Sequence, residues 1–153
     1  MKRILFSFIS LVLLTNCLSL TKIDENLYNQ DLTRTFNRSK EQTFNATILA
    51  FKELKVGIEK QDKEKGIIVT EKVPFYEMVY LYGNQYQATG QQFTAYHKYY
   101  LQITGDKNSA TVRTVKYRLW NNNVEQTEVN ARWTKENVWD PFFKEIQIKL
   151  DGY

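Results

Sequence analysis

The chain has 153 residues, of which 42% are hydrophobic, 25% charged and 14% aromatic. That composition excludes a disordered or low-complexity protein, and the length points to one domain whose core needs no disulfide or metal staple. The formal net charge is +4, but Lys2 and Arg3 supply two of those charges, and no basic run elsewhere is dense enough to track phosphates. Charge therefore argues against nucleic acid as a partner.

Met1-Lys2-Arg3 is a cationic start, followed by an apolar run from Ile4 to Leu14. A charged start, an apolar stretch and a polar continuation form the three-part pattern of a secretory signal. The apolar run is about 11 residues, too short for a membrane-spanning helix, which needs roughly 20. Leu14-Thr15-Asn16-Cys17 then resembles a lipobox, with Leu three positions before the only Cys of the chain. Asn16 departs from the usual Gly, Ala or Ser, a departure that spirochaete-type lipoboxes allow. The resemblance implies removal of residues 1–16 and acylation of Cys17, giving an envelope protein anchored in a membrane, the outer membrane being favoured. More than one acyl chain is needed for stable anchoring.

Residues 17–32 are polar, with scattered Ile23, Leu27 and Tyr28 and no clean period. They read as a poorly ordered lipidated tether, and 33–153 as the globular domain. Thr33 to Asn37 suits a short strand. Ser39 and Gln42 form a capping-box pattern, and Phe44, Ile48, Phe51 and Leu54 recur at helical spacing, so an amphipathic helix is expected over 40–55. Val56 to Lys60 and Ile67 to Val73 read as a hairpin around the charged turn at 62–66. Pro74 argues against a central ladder position there.

Phe75 to Tyr82 is strongly aromatic, with turn signals at Gly83-Asn84 and Thr89-Gly90. From Gln92 to Thr104 the residues alternate. Phe93, Ala95, His97, Tyr99, Leu101 and Ile103 share one face; Thr94, Tyr96, Lys98, Tyr100, Gln102 and Thr104 share the other. Gly105 to Asn108 is a turn, and Ala110 to Trp120 the next strand, whose alternation slips near Arg113 and Thr114 as a bulge would make it. Asn121-Asn122-Asn123 is a second turn. Val124 to Trp133 suits either a strand or a long loop. Asp140-Pro141 looks like an N-cap and first helical position, with Phe142, Phe143, Ile146 and Leu150 as the apolar stripe behind it. One apolar stripe on each helix places both on one face of an antiparallel sheet: an α+β two-layer sandwich.

Phe36-Asn37-Arg38-Ser39, the helix to Leu54, Val56-Gly57-Ile58-Glu59 and Lys65-Gly66-Ile67-Ile68-Val69-Thr70 resemble the small domains of outer-membrane assembly lipoprotein C (BamC). That resemblance implies a non-enzymatic protein-interaction module in outer-membrane assembly or maintenance, with an envelope protein as partner. Helix-grip ligand-binding folds share a similar element order and imply instead a carrier for a small hydrophobic ligand or lipid. Its cavity would lie between the sheet and the terminal helix, lined by residues such as His97, Tyr99 and Phe143.

The residues offer little catalytic chemistry. His97 is the single histidine and Cys17 the single thiol, so a Ser-His-Asp or Cys-His unit would depend on His97 alone. One His and no spare Cys make a zinc enzyme unexpected. No Gly-rich loop follows a strand to cradle a phosphate. The carboxylates at 62, 64 and 106 alternate with lysines as solvated hairpin tips do, without the spacing of a calcium loop. No catalytic residue, metal or cofactor is therefore expected. Tyr76, Tyr80, Tyr82, Tyr86, Tyr96 and Tyr100 cluster in the aromatic stretch. Tyr96 and Tyr100, opposite the core face, mark a candidate partner or ligand surface together with His97.

Overall fold

The computed structural model describes residues 20–84 and 87–152, with the backbone alone over 75–84 and 87–93. The signal segment, Cys17 and Tyr86 lie outside the described residues. The expected α+β sandwich is present: a seven-stranded antiparallel sheet with the long helices on a single face, and a separate two-stranded sheet beside it.

The first elements correct the tether. Thr21–Lys22 is a short strand, β1, and Glu25–Gln30 a one-turn-and-a-half helix, α1, capped by the Asp24 carboxylate, which accepts from the backbone N–H groups of Asn26 and Leu27. Leu27 and Leu32 are buried in the core. Ile23 and Tyr28 pack against the core beside them, so from Thr21 onward the chain folds with the domain. Thr33–Phe36 (β2) follows, then Lys40–Glu53 (α2). The capping box forms as expected: Ser39 Oγ accepts from Gln42 N and Gln42 Oε1 accepts from Ser39 N, both at 3.2 Å. The buried side of α2 is broader than its aromatic spacing suggests, with Thr43, Ala46, Thr47 and Ala50 beside Phe44 and Phe51. These small residues let the helix lie close to its neighbours. Leu54 falls at the C-cap and stays 41% exposed.

The hairpin of Ile58–Asp62 (β3) and Ile67–Thr70 (β4) turns at Gly66, whose φ is +68°. An added Cβ there would lie 2.0 Å from the backbone oxygen of Ile103, and Ile103 N donates to Gly66 O at 2.7 Å. Gly66→Ala must therefore push the hairpin turn away from Ile103, and it is expected to cost about 2 kcal/mol or more. Urea unfolding of the two proteins checks this; a loss below about 0.5 kcal/mol would contradict it.

Val73–Asn84 (β5) continues in line with β4, and both pair with the long strand Gln87–Gly105 (β6). A bulge follows Pro74, where the missing N–H interrupts the ladder. On its other side β6 pairs with Ala110–Asn121 (β7), which ends opposite Ala95. Beyond that point β5 and β6 run on as a two-stranded ribbon closing at Asn84 opposite Gln87. Thr89 and Gly90 sit inside this ladder, opposite Tyr82 and Leu81, so the turn expected there does not occur. The bulge expected in β7 does: Tyr100 pairs with Lys116 but Leu101 with Thr114, leaving Val115 as the extra residue.

Asn122 takes a left-handed φ of 53° in the turn to Val124–Gln126 (β8), after which Glu128–Val129 (β9) pairs with β1. The outer edge of β7 is shared by β2 at one end and β8 at the other. Between them α1 covers the edge: Leu32 O accepts from Thr114 N, and Tyr28 Oη from Tyr117 N. Capping an edge in this way removes a template for unwanted strand pairing.

The C-terminal helix starts earlier than Asp140. Asn130 caps Ala131–Thr134 (α3) through Trp133 N, a π-helical turn spans Lys135–Trp139, and Asp140–Asp151 (α4) continues without a break. Asp140 is already helical, and its carboxylate pairs with Arg34 at 2.9 Å instead of capping. The wide turn suits Pro141, which has no N–H to give and would crowd a normal α-turn before it. Phe142, Phe143, Ile146 and Leu150 are buried as expected. Helices α2 and α4 pack on each other and on the face of β6 that carries Ala95, Tyr99, Leu101 and Ile103.

Candidate functional sites on the two sheet faces

The alternation of β6 sends Tyr96, Lys98 and Tyr100 to the face away from α2 and α4. Across the ladder they stand opposite Trp120, Arg118 and Lys116 of β7. The result is a lattice of aromatic rings and cations. Lys72 Nζ lies 5.0 Å from the Tyr96 ring centre and 4.7 Å from that of Trp120. Arg118 stands 5.1 Å over Trp120, and Lys98 5.3 Å over Tyr100. Contacts of this kind hold an exposed cation in place at about 0.5–1 kcal/mol each.

Two carboxylates enter the lattice from its borders. Glu59 pairs with Lys98 at 2.5 Å, and Glu125 takes both ends of the Arg118 guanidinium. Glu59 holds the Lys98 ammonium above its ordinary range by hydrogen bonding. Arg118 holds the Glu125 carboxyl below its range in the same way. Lys72 and Lys116 hold no ion pair among the described residues, so the lattice keeps an excess of positive charge.

His97 points to the other face and does not join Tyr96 and Tyr100. It is 6% exposed, with Nδ1 3.2 Å from Tyr117 Oη and its ring edge-on to Tyr99 and Tyr117. Burial pushes its pKa down to about 4, so the imidazole is neutral at pH 7. Tyr99 is buried beside it, its amide donating to Thr70 Oγ1 at 3.0 Å. Its hydroxyl has no hydrogen-bond partner among the described residues, and burial pushes its pKa up.

His97 and Tyr99 form part of the floor of a cleft of about 360 Å³. It opens where the end of α2 and the start of α4 part above the base of the β5–β6 ribbon. Phe51 and Phe142 complete the floor, while Leu54, Lys55, Asn137 and Pro141 stand around the mouth. The cavity expected between sheet and terminal helix thus has a counterpart, with a change of residue. Phe142, not Phe143, lines it, because Phe143 lies one residue further round the helix, under the Arg34 guanidinium.

Sequence alone does not single out Trp120, Lys72, Lys116 and Arg118, although Lys116, Arg118 and Trp120 alternate once the count restarts after Val115. Lys55, Val138 and Asn137 come together only through the packing of the helices. Among the described residues no group of three or more His, Cys, Asp or Glu is placed to hold a metal ion, and no helix is long and apolar enough to cross a membrane.

These parts define an α+β sandwich with one face of its sheet covered by helices and the other carrying a cation–aromatic lattice. No family model matches the chain, and no curated protein does. Among solved structures it is similar to the crystal structure of a DUF4468 family protein from Bacteroides ovatus ATCC 8483, at 15% identity and a TM-score of 0.45, over 84% of this chain and 96% of that one.

Proposed function

We propose that this protein is a non-enzymatic, lipid-anchored envelope protein that binds an acidic protein partner through the lattice around Tyr96, Tyr100 and Trp120, in outer-membrane assembly or maintenance. The observation that carries the reading is the lattice itself. Rigid aromatic side chains offer contact area at low entropic cost, and Lys72 and Lys116, outside any ion pair among the described residues, complement negative charge. The lipobox-like run ending at Cys17 supports the anchor, and the BamC-like order of elements supports the envelope role.

A photo-reactive phenylalanine analogue at position 100 in intact cells tests the partner. A discrete protein adduct is expected from position 100 and none from position 148 on the helix side, and Lys116→Glu is expected to weaken the adduct about tenfold. No adduct from either position 96 or 100 overturns the reading. Metabolic labelling with a radioactive fatty acid tests the anchor separately: label is expected on the wild type and absent from Cys17→Ala, and label surviving that substitution refutes it.

A further inference from the structure

We propose that the cleft between the helix layer and the base of the ribbon binds a small amphiphile with a single apolar tail and an anionic head, the tail against Leu54, Val56, Val73 and Val138 and the head at Lys55. This is a second site, on the opposite side of the sheet from the lattice that receives the protein partner.

Three observations converge on the same opening. The first is its lining. Leu54, Val56, Val73 and Val138 give an apolar wall above the buried rings of Phe51 and Phe142, and Leu54 remains 41% exposed at the mouth where a well-packed core would bury it. The volume of about 360 Å³ lies at the lower end for small-molecule sites, which suits one acyl-like tail and excludes a diacyl lipid.

The second is charge. Among the described residues Lys55 is the one ionic side chain in the lining, and it holds no ion pair with any of them. None of those lining residues is a carboxylate, and His97 on the floor is neutral, so nothing among them repels an anion or competes for the ammonium. A charge-assisted contact to a carboxylate or phosphate head is the pairing this arrangement leaves open.

The third is the backbone. Regular geometry breaks twice around the mouth. Lys55 takes a left-handed φ of 57° in a Schellman-type cap, its N–H donating to Lys52 O and that of Val56 to Phe51 O, and this turn ends α2 with Lys55 at the mouth. The π-helical turn Lys135–Trp139 supplies Asn137 and Val138 from the facing wall. π-Helical turns recur at functional sites, and this one borders the cleft from the wall facing the end of α2.

Photoaffinity labelling of the full chain in its membrane tests the proposal, with diazirine-bearing decanoate and decanol as probes and adducts mapped by peptide mass spectrometry. Decanoate is expected to label peptides around 51–56 and 137–142. Lys55→Gln is expected to reduce that labelling about tenfold without changing decanol labelling. Leu54→Glu, a change at a 41% exposed position at the mouth, is expected to remove labelling by both probes while leaving the urea-unfolding midpoint near that of the wild type. Lys116→Glu on the opposite face is expected to change neither. Decanol labelling equal to decanoate with Lys55→Gln silent overturns the anionic head. Adducts outside those peptides, or labelling indifferent to Leu54→Glu, overturn the site.

Discussion

Lowering the pH from 7 towards 4 is expected to remove stability on the order of 3 kcal/mol through His97 alone. In the fold its pKa is pushed down to about 4, from 6.5, by burial; unfolding returns it to water and to the ordinary value. The contribution is therefore fully present above pH 6.5. Below that the unfolded chain binds a proton that the folded one refuses, and the stability is lost progressively until the folded imidazole itself titrates near pH 4. His97 is the only histidine, so between pH 6.5 and 5 little else among the side chains changes charge. Urea unfolding across that interval should show a steep dependence on pH in the wild type. His97→Phe, which keeps a ring against Tyr99 and Tyr117, should flatten it. Equal slopes for the two proteins would mean that the folded imidazole is protonated as readily as the free one.

Phe51→Ala is expected to destabilise the protein by about 3–5 kcal/mol. The ring is 1% exposed, stacked on Phe142 with centroids 4.7 Å apart and tilted against Tyr99 at 6.0 Å. It is the point where α2, α4 and β6 meet, so its removal leaves a void that none of the three can close without moving off the others. Leu49→Ala, on the same helix but 40% exposed, is expected to stay within about 0.5 kcal/mol of wild type. Because Phe51 and Phe142 share one contact, the double alanine variant should lose less than the two single losses together. Thermal or urea unfolding of the wild type and the four variants reads this directly, and a Phe51→Ala loss no larger than that of Leu49→Ala would sink it.

The elements legible in the sequence are those whose signals repeat. Helix α2 carries an apolar spacing over about three turns and a capping box at its start. Strand β6 alternates without error from Ala95 to Ile103, and that alternation alone puts His97 and Tyr99 inside and Tyr96 and Tyr100 outside. Even the β7 bulge is legible, since one extra residue at Val115 reverses the alternation. What escapes is short or cooperative. Helix α1 has six residues and one buried side chain, too little for a period, and it folds because Leu27 and Leu32 find the core and because the edge of β7 needs donors and acceptors met. Asp140-Pro141 carries a sound local signal for a helix start, yet Asn130 caps ten residues earlier and the π-turn carries the helix through. The sites divide in the same way. Tyr96 and Tyr100 follow from alternation within one strand, whereas their partners Trp120, Arg118 and Lys116 follow only from the register between two strands. The cleft gathers residues from four separate stretches of chain, and no window of sequence holds them.

Strand β1 begins at Thr21, so a lipid on Cys17, as proposed, would be joined to the folded body by four residue steps. Fully stretched, that length covers at most about 14 Å. A protein so anchored would ride against the headgroups of its own leaflet, with no working radius to sweep the space between two membranes. Its partner would have to come to that surface, as a membrane-bound neighbour or as a segment delivered to it. Inserting a flexible stretch of a dozen residues between Cys17 and Thr21 should then dilute the domain away from such a neighbour, and crosslinking from position 100 should fall although nothing in the fold has changed.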